Sequence, residues 1–169
     1  AAAAGAHLIN DVRALTRDGA MAAAVETGLP VCLMHMQGEP RTMQSSPQYS
    51  DVLAEVETFL FERVTACEAM GVERSRLLLD PGFGFGKTLE HNLTLFNGLP
   101  RLVAMGLPLL VGVSRKNMIG SILGAPVDER LYGGIALATL AAWWGAAIIR
   151  THDVRATVDA MKICQALKK

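Results

Sequence analysis

No charge of either sign prevails in this chain: Lys and Arg together number 16, and Asp and Glu together number 16. A surface that grips a nucleic-acid backbone needs an excess of cations, so that class of partner is excluded. Cysteine is scarce as well. Cys32, Cys67 and Cys164 lie far apart with no CxxC spacing, which excludes a disulfide framework and a structural zinc site and leaves the reduced thiols expected of a cytoplasmic protein. With no secretory segment in view, Asn92-Leu93-Thr94 reads as a chance match to a glycosylation acceptor. One run without charge, Leu131 to Ile149, is nominally long enough to span a bilayer. It is rich in Ala and Gly, however, and Gly145 divides it where a helix should stop, just before a strand-like Ala-Ile-Ile. It reads as a buried helix followed by a buried strand, with no membrane partner. The opening Ala1 to Gly5 suits neither a signal peptide nor an initiation sequence, and an upstream segment is expected to be missing.

What the chain does have is enough apolar residue to bury a core, 51% hydrophobic against 19% charged over 169 residues, a length that suits one domain. Short apolar or β-branched runs recur at 7–12, 31–36, 77–80, 109–114 and 147–152. Helical patterns at 19–26, 50–70, 89–105, 116–123, 129–144 and 154–167 lie between and after them. Gly28, Gly71, Gly106 and Gly145 sit where helices should end. Continuous apolar strands such as Leu77-Leu78-Leu79 imply a parallel sheet covered on both faces, as in a doubly wound sheet or a (β/α)8 barrel. Polar residues close every strand: Asn10 and Asp11, His35, Asp80, Ser114, then Arg150, His152 and Asp153. Such residues gathered at carboxyl ends mark a barrel active site. Only about five of a barrel's eight βα units are visible, so the α/β fold expected is the later part of a TIM-type barrel.

Three motifs carry chemistry. Asp80-Pro81-Gly82-Phe83-Gly84-Phe85-Gly86-Lys87 closes a buried strand with a carboxylate, stops the ladder with Pro81, and follows with glycines that let backbone approach a ligand. It matches no phosphate-loop or dinucleotide pattern. Asp80 is either a ligand acceptor or a loop-capping carboxylate. Ser114-Arg115-Lys116-Asn117 joins a strand to a helix, where Lys116 can reach over the strand ends or remain an exposed helix-start lysine. Arg150 and His152 share one side of an extended strand and can pair on an anion; the alternative is a structural His or a surface salt bridge. Alternation lets only one of Asn10 and Asp11 face inward. His35 between Met34 and Met36 reads as core or as ligand.

Taken in order, Ile9-Asn10-Asp11, Leu33-Met34-His35-Met36, the Asp80 to Lys87 loop, Ser114-Arg115-Lys116 with Ile119-Gly120, and Arg150-Thr151-His152-Asp153 closely resemble bacterial dihydropteroate synthases. The resemblance implies that residues 1–169 are the C-terminal part of one pterin-binding barrel domain, with the visible strands its fourth through eighth. It further implies a transferase of folate biosynthesis, the sulfonamide target. That enzyme joins 6-hydroxymethyl-7,8-dihydropterin pyrophosphate to p-aminobenzoate, giving 7,8-dihydropteroate and pyrophosphate. In the family reaction pyrophosphate leaves first and the arylamine attacks the cationic pterin methylene.

By the same resemblance, Asp80 accepts from the pterin 2-amino group and N3, Asn10 holds the opposite ring edge, and Met34 and Gly112 pack near its faces. Lys116 donates to the ring. Phe85, Lys116 and Asn117 border the p-aminobenzoate and sulfonamide pocket, and Arg150 and His152 hold the pyrophosphate, so that Lys116, Arg150 and His152 are the catalytic candidates. The family commonly carries Ser where this chain has Asn117. Its early loops, which bring the Mg2+ ligand, are not in this sequence, so no metal ligand is expected here; a homodimer is. Two other readings are a methyltetrahydrofolate-binding relative that serves a corrinoid protein, disfavoured by the Arg150 and His152 anion pair, and a non-catalytic pterin-binding barrel module.

Overall fold

A computed structural model describes residues 2–168 of the chain. Among these residues five parallel strands, β1 (Ile9–Asp11), β2 (Val31–Met34), β3 (Leu77–Asp80), β4 (Leu110–Val111) and β5 (Ile148–Ile149), lie side by side in chain order. The first three form one ladder in which Asp11 faces Leu33 and Met34 faces Asp80. A single parallel bridge, Leu79 to Leu109, carries the sequence across to the β4–β5 pair. A doubly wound sheet reverses its strand order at a switch point. This one never reverses, which is the order of a barrel arc.

Among the described residues seven α-helices accompany the strands: α1 (Ala20–Thr27), α2 (Val52–Ala69), α3 (Leu89–Asn97), α4 (Leu99–Val103), α5 (Asn117–Leu123), α6 (Leu131–Trp143) and α7 (Val154–Leu167). The longest, α2, shows why this sequence is helical here. Asp51 accepts from the N–H groups of Leu53 and Ala54 at 3.1 and 3.0 Å, while Glu55 reaches back to the N–H groups of Ser50 and Asp51, so donors with no partner inside the helix are satisfied at its start. Val52, Val56, Leu60, Val64 and Cys67 recur every three or four residues and are all buried, against a core that includes Leu33, Leu77 and Leu79.

Three expectations change. The helix read through 89–105 breaks at Gly98 into α3 and α4, because Pro100 has no N–H to donate and its ring would collide with the preceding turn. A side chain at Gly98 would also run into Leu53 on α2. Four of the five strands are shorter than their apolar runs, since pairing stops where the chain turns outward to present its polar ends; β3 alone matches its expected bounds. The uncharged run from Leu131 is the expected helix, ending at Trp143, and after Gly145 at φ 105° the expected strand β5, but neither is buried: only Ala138 and Ala141 of α6 are, and Tyr132, Leu140, Trp143 and Ile148 are exposed where the chain leaves them uncovered. Among the described residues no helix is long and apolar enough to cross a membrane.

Candidate functional site

The carboxyl ends of the strands converge on Asp80. It closes β3 beside Met34, only 2% of its surface is exposed, and Oδ1 accepts the Gly82 N–H at 2.8 Å. Oδ2 is buried with no hydrogen-bond partner. Burial raises the pKa of this carboxyl; the Gly82 N–H and the nearby cations Lys116, Arg150 and Lys87 pull it down. One oxygen therefore serves as the loop cap and the other is left facing cationic surroundings, a costly arrangement unless a donor arrives. The loop behind it is pressed so closely against β2 that a Cβ at Gly82 would collide with the carbonyl of His35, and one at Gly86 with that of Gln37. Both glycines have positive φ, 70° and 63°, a conformation other residues adopt at a cost. Met34 is buried beneath Gly82.

Lys116 is the residue that caps the start of α5, and its Nζ reaches back to donate to the Phe83 carbonyl, 4.8 Å from the centroid of the Phe85 ring. Burial brings its pKa down to about 8, with Asp80 opposing the shift and Arg150 adding to it. The exposed-lysine alternative is thereby ruled out. Phe85, Lys116 and Asn117 line one pocket of about 440 Å3, together with Gln44 and Met118. Asn117 accepts from Arg130 at 3.3 Å, and the same guanidinium donates to the Arg115 carbonyl at 3.1 Å. Arg115 itself sits at φ 59°, so that turn is held from outside.

Arg150 and His152 both turn toward β4, although neither lies within the two-residue ladder of β5. The Arg150 guanidinium lies across Gly112, so close that a Cβ there would meet its Nη2 at 2.7 Å. His152 is bound to Ser114 through its backbone N–H at 3.2 Å and its ring Nδ1 at 3.1 Å. Gly112 thus touches Arg150 directly, a contact that sequence reasoning did not foresee. Asp11 settles the choice at the end of β1, because its Oδ2 accepts the Leu15 N–H at 2.6 Å. Asn10 lines the cleft between β1 and β5 with Leu8, Ile148 and Arg150.

One buried cation, Lys87, went unnoticed in the sequence, and it decides between the two readings of His35. Lys87 is 3% exposed, and its Nζ meets His35 Nδ1 at 2.9 Å, the Gly82 carbonyl at 3.1 Å and the Phe85 carbonyl at 3.2 Å. Burial lowers the Lys87 pKa to about 7 and, with the Lys87 charge next in effect, that of His35 to about 3. His35 is therefore a neutral acceptor inside the core, packed edge-on to Phe59, and belongs to the support of the loop. Tyr49 and Gln44 clasp the same loop from the β2–α2 connection, donating to the carbonyls of Gly86 and Gly84 at 2.8 and 2.5 Å. Only a glycine-rich loop ending in a lysine could have hinted at this.

Residues 1–152 match the family of pterin binding enzymes. The chain is 56% identical over 162 residues to the dihydropteroate synthase of Escherichia coli K12, covering 96% of this chain and 57% of that protein. It is 48% identical over 166 residues to that of Haemophilus influenzae, covering 98% and 60%. Its fold superposes on the dihydropteroate synthase of Yersinia pestis in a sulfonamide drug complex with a TM-score of 0.96 at 53% identity, covering 99% of this chain and 61% of that one. The Xanthomonas albilineans enzyme in complex with 7,8-dihydropteroate gives 0.91 at 47%, covering 98% and 61%. The chain spans about three fifths of the length of these relatives. Because the family match takes in residues 1–152, nine tenths of the sequence and every strand of the sheet, the chain belongs to the pterin-binding enzyme family.

Proposed function

We propose that this chain carries the pterin floor and half of the pyrophosphate clamp of a dihydropteroate synthase, its strands serving as the fourth through eighth of the barrel. The observation that carries the reading is the partnerless Oδ2 of buried Asp80, which calls for a donor pair such as the amino and ring N–H of a pterin. Asn10 takes the opposite ring edge, its amide able to donate and accept. Lys116 donates to the ring, and Met34 and Gly112 lie near its faces. The p-aminobenzoate ring enters beside Phe85, Lys116 and Asn117. Arg150 and His152 face the pyrophosphate: the C–O bond of the pterin methylene breaks with its electron pair going to that group, where positive charge favours departure. The arylamine nitrogen then closes the C–N bond and sheds one proton. These residues position and polarise, and no covalent enzyme intermediate is required.

Among the described residues no three His, Cys, Asp or Glu side chains come together to hold a metal ion. The Mg2+ that the family resemblance implies would take its protein ligand from the early loops of the barrel, which this sequence does not contain, and none of the residues named above is given that role. Exposed Tyr132 and Trp143 on α6 and Ile163 on α7 suit the homodimer we propose. The test grafts this chain in place of the matching segment of the Escherichia coli relative and titrates 6-hydroxymethyl-7,8-dihydropterin pyrophosphate by calorimetry. Binding and dihydropteroate formation are expected, with Asp80→Asn weakening binding by roughly 2 to 5 kcal/mol as a charged acceptor becomes a mismatched amide. Unchanged affinity in that variant removes Asp80 from the site and overturns the reading.

A further inference from the structure

The hydroxyl of Ser114 does two things to one residue. Its Oγ lies 3.2 Å from the backbone nitrogen of His152 and 3.1 Å from the ring Nδ1 of the same histidine. A backbone N–H can only donate, so Oγ accepts there through one lone pair. The remaining lone pair could serve an Nδ1–H and the rotatable hydroxyl hydrogen a bare Nδ1; only the second arrangement uses the donor capacity of the hydroxyl. Donation to Nδ1 requires that nitrogen to be bare, which places the single hydrogen of the neutral imidazole on Nε2.

The backbone around His152 is pinned on both sides. Thr151 Oγ1 accepts the Asp153 N–H at 3.2 Å and also meets Thr157 Oγ1 at 3.0 Å. The Asp153 carboxylate is gripped by Arg115, with Nη2 to Oδ1 at 2.6 Å and Nε to Oδ2 at 3.2 Å. With the backbone held on either side, the ring's orientation and tautomer remain to be set, and Ser114 addresses both.

We propose that Ser114 is a positioning residue that fixes His152 as an Nε2–H donor, aimed with the Arg150 guanidinium at an incoming oxyanion. The proposal deepens the synthase reading, since it rests on His152 facing the pyrophosphate. A histidine of the opposite tautomer would present a lone pair to that anion and repel it. Ser114 thus acts through His152 and touches no reacting atom.

The experiment is nitrogen-15 NMR of the 169-residue chain with labelled histidine, the His152 ring assigned by its loss in His152→Gln, titrated with inorganic pyrophosphate. In the unaltered chain Nε2 should carry the hydrogen and Nδ1 should show the upfield displacement of a hydrogen-bonded acceptor. Ser114→Ala should return Nδ1 to the shift of a free ring nitrogen and weaken pyrophosphate binding by roughly five- to ten-fold, the effect of one lost hydrogen bond to an anion-binding group. Ser114→Thr, which keeps the hydroxyl, should restore both. A His152 ring with its hydrogen on Nδ1, or an Nδ1 shift that Ser114→Ala does not move, overturns the proposal. Should the tautomer be as stated while pyrophosphate leaves the His152 signals unmoved, the tautomer assignment stands and the anion role of His152 fails.

Discussion

The two halves of the strand-end rim are built differently. Around β2 and β3, Asp80, His35 and Lys87 are buried, and the Gly82 to Lys87 loop is clasped by Lys87 from within and by Gln44 and Tyr49 from outside. Around β4 and β5 the ladder is two residues long, and Arg150 and His152 are exposed. In the functional reading, the first half meets a neutral ring and the second meets an anion. A neutral ring is told from others by donors and acceptors fixed beforehand in a dry site, where a misplaced group is expensive. A multiply charged anion is attracted over longer distances and tolerates solvent around its partners.

The comparison breaks most visibly at Gly82. A Cβ there meets backbone, the His35 carbonyl, at a positive φ. Gly82→Ala should cost about 4 to 5 kcal/mol, since β2 must move or the loop must leave it. Urea denaturation of the pair of proteins checks this, and a loss below about 1 kcal/mol would mean that the buried half is looser than its contacts say.

Acid should undo the same half next. Burial holds His35 neutral, with a folded-state pKa of about 3 against the ordinary 6.5. The unfolded chain then binds the extra proton first, so this contribution is complete above about 6.5 and is lost as pH falls from there toward 3. The raised carboxyl of Asp80 works the other way over its own window, so the informative quantity is a difference. His35→Gln keeps an acceptor for Lys87 and removes the titration, and its stability should fall less steeply between pH 6.5 and 4 than that of the parent chain. Parallel slopes would place His35 in contact with water.

Much of the buried half was legible in the sequence. Leu77-Leu78-Leu79-Asp80 carries a buried strand and its terminal carboxylate in four consecutive residues, and the spacing of Val52, Val56, Leu60 and Val64 marks one helix face. Local pattern is enough for such features because strand and helix periods are local. The break at Gly98 was available too, in the Pro100 that the apolar pattern outvoted. What could not be read were pairings across the chain: Lys87 with His35, 52 residues apart, and Ser114 with His152, 38 apart. Those depend on which loops the strand order brings together, and composition around Lys87 looks no different from that of a solvated loop. The two oxygens of Asp80 were visible only as an open choice between cap and ligand; in three dimensions Oδ1 is the cap and Oδ2 is left without a partner.

The smallest effect on folding should come from Gly112→Ala, and it isolates the exposed half. The position has no positive φ, and the atoms that an added methyl would meet belong to the Arg150 guanidinium, the far end of a flexible side chain. Stability should therefore change by less than about 1 kcal/mol, the range of substitutions that neither open a cavity nor strand a buried group. Binding is another matter, because the guanidinium must move off β4 to make room. In the graft described above, pyrophosphate-bearing substrate should lose affinity in Gly112→Ala and in Arg150→Ala alike, while the free pterin alcohol, which has no leaving group to hold, should lose much less in Arg150→Ala. Combining the two changes should add little to either, since both act on one guanidinium. Calorimetry with the two ligands across the four proteins tests this directly. Full additivity would mean that Gly112 acts on the pterin ring independently of Arg150, and equal losses for both ligands in Arg150→Ala would make the arginine a structural support of the β4–β5 pair.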